Sequence, residues 1–147
     1  MTRSPLARLA VAAGALELFL SVGALGGGAA LVLGPRGEVI PLPLSLLAGS
    51  PFGSYRVPGL ILFVVLGVGP LTAAVLTFRH HPWGPLLAVA VGAALLVWLA
   101  VEIAIVGYSN KPPLQALYLA LAVAILLVGV AWWRTTRKPP APAPASL

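Results

Sequence analysis

The chain has 147 residues, 60% of them hydrophobic and only 8% charged, with a mean hydropathy of +1.03. A water-soluble domain carries about 25% charged residues, so this composition belongs in a bilayer, and the length suits one domain. The absence of cysteine excludes disulfides, thiolate metal centres and redox dithiols, and the nine Lys and Arg behind the +6 charge are set singly, with no basic stripe or aromatic platform for nucleic acid.

Crossing about 30 Å of hydrocarbon takes roughly 20 apolar residues at about 1.5 Å each. Runs of that length predict helices over about 9–33, 57–78, 85–108 and 114–133. The expected fold is all-α, a four-helix transmembrane bundle forming one domain over 1–138. The first run follows Arg3 and Arg8, but it is longer than the apolar core of a signal peptide and carries Glu17, so it is expected to be retained as a helix.

Along this first helix the positions Ala10, Ala13, Gly14, Glu17, Ser21, Ala24 and Gly28 share a face. Small residues mark where helix backbones approach, so Glu17 is expected to point into the bundle. It lies about nine residues beyond Arg8, near 13 Å, too deep for a short side chain to reach headgroups. At that level the second helix offers Thr72, just past the Gly67-Val68-Gly69-Pro70 break, where Pro70 would free the carbonyl of Leu66. Two readings follow for Glu17, with Ser21 and Thr72: hydrogen-bonded glue between helices, or a titrating or ligand-binding acid. The glycine-rich GALGGGAALVLG lacks the preceding strand a dinucleotide site needs, and reads as close packing.

The connection from Gly34 to Arg56 contains PLPLSLLAGSPF, too apolar for a solvated loop and too broken by Pro41, Pro43 and Pro51 to span. An interfacial helix or re-entrant turn around 42–48 is expected there, capping the outer face. His80 and His81 sit in the next turn beside Arg79; adjacent histidines without a nearby carboxylate read as a headgroup-level loop, and no metal site is expected.

In the third helix Glu102 lies about six residues, or 9 Å, from the end at Tyr108. Tyr118 reaches a similar depth from the start of the fourth helix with Gln115 above it, Arg56 can snorkel in from the second, and Tyr108 stands at the edge of the group. These residues are expected to form an outer polar cluster, serving as an ion pair that seals the bundle, a small-ligand or lipid-headgroup pocket, or a catalytic constellation. Glu17 and Glu102 differ in depth by about 14 Å, which argues against a direct acid–base pair. A Glu followed by Gly, as in Glu17/Gly23 and Glu102/Gly107, hints at a two-helix repeat. The segment 139–147, rich in Pro and Ala, is expected to be a disordered tail. Counting Lys and Arg on alternate sides gives Arg3, Arg8, Arg79, Arg134, Arg137 and Lys138 against Arg36, Arg56 and Lys111, which predicts both termini in the cytoplasm.

SPFGSYRVPGLIL (50–62), VWLAVEIAIVGY (97–108) and PLQALY (113–118) resemble a group of small, uncharacterised four-helix integral membrane proteins of high-GC bacteria. The resemblance implies a bacterial cytoplasmic membrane and transfers no activity. In similar sequences the position matching Glu102 is polar, acid or amide, which implies hydrogen bonding more than charge.

Three functions are therefore open. The first is a non-enzymatic accessory or interaction protein, in contact with membrane lipid and part of a homo-oligomer or larger membrane complex. The second is a small transporter or binder of an amphiphilic or cationic ligand using the intramembrane carboxylates, as small multidrug-resistance transporters do, although this chain lacks their helix-two and helix-three signatures. The third is a lipid- or quinone-directed enzyme built on Glu102, Tyr118 and Arg56. No nucleophile–base set, phosphate loop or metal cluster is apparent in the sequence, and no cofactor is expected.

Overall fold

The computed structural model describes residues 4–137; Arg3, Lys138 and the expected tail lie outside them. Ser4 starts the first helix, its Oγ accepting the Ala7 N–H at 3.2 Å, and Pro5 fits the first turn, where no intrahelical N–H is needed. This helix, α1, runs over Pro5–Leu33, and α2 covers Arg56–Phe78, α3 Gly84–Val106 and α4 Leu114–Thr136. Pro85 opens α3, Pro113 precedes α4, and Gly107 ends α3 at φ 78°, a conformation natural to glycine. All four helices are long and apolar enough to cross a membrane, and they pack as a bundle. The chain is a multi-pass membrane protein.

α2 changes its winding on the way through. Over Leu62–Val68 it is a π-helix, and the Gly69 N–H bonds to the Val64 carbonyl five residues back. Pro70 follows at once, without an N–H of its own. A wide turn ahead of a proline relieves the clash between its ring and the preceding carbonyls, so the span continues to Phe78 without breaking.

Two antiparallel pairs make up the bundle. In the α1–α2 pair, a Cβ on Gly28 would lie 2.7 Å from the Phe63 nitrogen and 2.8 Å from the Gly59 carbonyl oxygen, so the two backbones touch there. α3 and α4 approach as closely where Gly92 meets Leu126 and Gly129 meets Ala88 and Val89. Lipid solvates apolar side chains as well as a protein core does, so these close approaches, with their dispersion contacts, hold the pairs together. Leu20, Leu66, Leu95, Leu99, Leu121 and Ile125 then interlock across all four helices. Phe19, Val22, Val64, Val97 and Leu127 are more than half exposed and form the lipid-facing surface.

Between α1 and α2 the apolar connection folds back on the bundle. Of the interfacial helix or re-entrant turn expected around 42–48, the structure has a single 3-10 turn at Leu44–Leu47, because Pro41, Pro43 and Pro51 leave no room to propagate helical hydrogen bonds. Tyr55 anchors it: the phenol donates to the Pro43 carbonyl at 2.8 Å and the Tyr55 N–H to that of Pro35 at 2.9 Å. Leu47 is buried against Leu31 and Tyr55, and burial pushes the Tyr55 phenol up from its usual pKa.

Candidate functional site

The face predicted on α1 is the face the bundle buries: Ala10, Ala13, Gly14, Glu17, Ser21, Ala24 and Gly28 are all inside. Leu20 joins them, because α1 also borders the other pair of helices. Glu17 is fully buried. Its Oε2 accepts a hydrogen bond from Thr77 Oγ1 at 3.1 Å, and its Oε1 has no hydrogen-bond partner among the described residues. One turn further along α1, the buried Ser21 hydroxyl donates to the Gly67 carbonyl at 2.8 Å.

This pairing differs from the expected one. Thr72 is exposed on the outer side of α2, and its hydroxyl donates back to the Val68 carbonyl at 2.9 Å. The carbonyl that meets α1 is that of Gly67, one residue past Leu66. The reason is helical phase. α2 buries Gly59, Leu66, Gly67, Pro70, Ala73, Ala74 and Thr77, at spacings of three and four beyond Leu66, and Thr72 falls off that line. The small residues of α2 carried the same signal as those of α1, and extending their face would have reached Thr77.

At the opposite end, Glu102 is part of a closed network. Trp98 Nε1 donates to its Oε2 at 3.0 Å and Gln115 Nε2 to its Oε1 at 3.1 Å. Gln115, itself buried, also donates to the Gly107 carbonyl at 3.1 Å and accepts the Ser109 N–H at 2.7 Å. One amide thus ties the last turn of α3, the 107–113 connection and the first turn of α4 together. Trp98 was missed in the sequence although it stands four residues before Glu102, on the same helical face.

The remaining members of the expected outer cluster lie apart. Arg56 is exposed at the start of α2, and neither Glu102 oxygen is bonded to it. The Tyr118 hydroxyl rests over Gly23 of α1, 2.5 Å from where a Cβ would be, and Tyr108 is exposed. Of the candidates, the structure joins Glu102 with Gln115, and sets Glu17 beside Ser21 on one buried face.

A hollow of about 300 Å³ opens at the end of the bundle bearing the start of α1 and the end of α4. Ala7 and Ala10 line it on one side, His81 and Pro85 on another, and Trp132 and Thr136 on the third. His81 Nδ1 accepts the Trp83 N–H at 3.3 Å, which shapes the turn between α2 and α3. Among the described residues no three His, Cys, Asp or Glu side chains gather as a metal site would require. No protein-family profile, curated protein or solved structure matches the chain.

Proposed function

We propose that the protein is a non-enzymatic accessory or interaction protein of the bacterial cytoplasmic membrane, with both ends in the cytoplasm, acting through contacts made within the bilayer by a homo-oligomer or a larger membrane complex. The observation that carries this reading is the fate of the outer polar residues. Both oxygens of Glu102 and both ends of the Gln115 amide are spent on bonds inside the α3–α4 corner, while Arg56 and Tyr118 lie elsewhere. An enzyme of lipids or quinones needs such groups converging on a reacting atom. The bacterial setting rests on the sequence resemblance, and the orientation on the excess of Lys and Arg at the end bearing the termini.

The competing reading is a transporter, and flux separates the two. Proteoliposomes holding the purified protein are given a pH gradient and an amphiphilic fluorescent cation. The expected result is proton leak and dye accumulation equal to those of empty liposomes. Dye accumulation that depends on the gradient and disappears in Glu17→Gln would overturn the accessory reading.

A further inference from the structure

The hollow beside His81 and the buried carboxyl of Glu17 are linked along one face of α1. Ala10 lines the hollow, Gly14 stands one turn above it, and Glu17 stands one turn above Gly14. From Ala10 to Glu17 the rise is about 10 Å. Ala13 is packed against Ala88 and Trp132 on this stretch, and on the α2 side Gly14 is covered by Phe78, which is itself half-exposed. The ring of Phe78 lies on Gly14, its atoms 2.7–3.0 Å from the position a Cβ would take. Its neighbour in the chain, Thr77, bonds Glu17. The last turn of α2 therefore supplies both the partner of the carboxyl and the cover of its approach.

We propose that Glu17 Oε1 is a binding site for an exchangeable proton, reached from the end of the bundle bearing the termini, with Phe78 as the barrier. Three observations combine. Oε1 is an unpartnered polar atom in a side chain with no exposed surface, inside an apolar bundle. Among the described residues Thr77 is its carboxyl's one hydrogen-bonding neighbour, and a carboxylate with one donor in a membrane interior is costly, whereas a proton on the other oxygen removes the charge. Beyond the carboxyl, the Ser21–Gly67 bond and the buried Leu20 and Leu66 close the interior, so access is one-sided. Among the described residues, the charged and titratable groups on the open side are Arg8 of α1, Arg79, His80 and His81 of the turn, and Arg134 and Arg137 of α4; α3 contributes none before Glu102. Those groups set the local field at the mouth. The site goes beyond the accessory function and does not depend on it, since a dead-end site exchanges protons without carrying them across.

The test is infrared hydrogen–deuterium exchange of the carboxyl stretch, with the protein in lipid nanodiscs and the Glu17 band identified by its loss in Glu17→Gln. The band is expected to shift on transfer to D2O, and to do so at least about tenfold faster in Phe78→Ala than in wild type or in Phe78→Leu, which refills the space. Leu99→Ala, a core truncation in the other half of the bundle, is expected to leave the rate unchanged. Absence of a protonated band that Glu17→Gln removes would overturn the site. Equal rates in wild type and Phe78→Ala, or equal acceleration by Leu99→Ala, would overturn the barrier. Transmembrane flux in the liposome experiment would count against one-sided access and against the accessory reading, whereas exchange without flux supports both.

Discussion

Gln115 does more for the fold than its neighbours because it is a hub with no spare capacity. Truncation to Ala orphans a Glu102 oxygen, the Gly107 carbonyl and the Ser109 N–H together. Each buried polar group left unpaired costs about 1–3 kcal/mol, although the exposed connection lets water repay part of it. Gln115→Ala is expected to lower stability by about 2 kcal/mol, read as the midpoint of SDS-induced unfolding of the purified protein. Glu102→Gln behaves differently. Both partners of Glu102 are N–H donors, and an amide provides only one acceptor, so one bond of about 1 kcal/mol is lost while the fold survives. A larger effect for Glu102→Gln than for Gln115→Ala would contradict the hub role. The sequence marked both residues as polar neighbours, but it also drew Arg56 in as one candidate partner of Glu102, because charge complementarity is visible in a sequence and the direction of an N–H is not.

At the scale of helices, contact between backbones sets the register. α1 and α2 meet at Gly28, and any side chain there must push Phe63 and Gly59 away. Gly26, two residues earlier, is exposed, and a Cβ added to it would meet nothing within 4 Å. Gly28→Leu is expected to destabilise the bundle by about 1–3 kcal/mol through forced separation of the pair, and Gly26→Leu to be near neutral. The same SDS titration on both variants checks this, and equal midpoints would rule out Gly28 as the contact. The register sets the level of Glu17 against the inner half of α2, and helical phase then selects its partner: the line of Pro70, Ala73, Ala74 and Thr77 faces α1, and Thr72 is left facing outward. The π-helical stretch contributes as well, because it lets α2 pass Pro70 and keeps Ala73, Ala74 and Thr77 on the buried face.

For the whole molecule, an even number of spans places the start of α1 and the end of α4 on one side. Among the described residues that side carries Arg8, Arg79, Arg134 and Arg137, and the other Arg36, Arg56 and Lys111. A chain without cysteine allows single-cysteine probes with no background. An impermeant maleimide added to intact cells is expected to label Ser45→Cys, and to label Ser4→Cys and Thr136→Cys only after permeabilisation. Labelling of Ser4→Cys and Thr136→Cys from opposite sides would refute the four-span arrangement; labelling of both from outside would reverse the orientation while keeping the arrangement.

Hydropathy over about 20 residues and the spacing of small residues are local properties of the chain, so the four-helix membrane bundle and the inward face of α1 were legible before any packing was known. The sequence also placed Glu17 in the interior. Tertiary structure alone decided which partner meets that carboxyl, how the proline-broken connection folds into one turn around Tyr55, and whether Arg56 reaches Glu102. Each of these depends on how far one helix slides and turns against another, and that offset is settled by contacts such as Gly28 with Phe63, made between residues far apart in the chain.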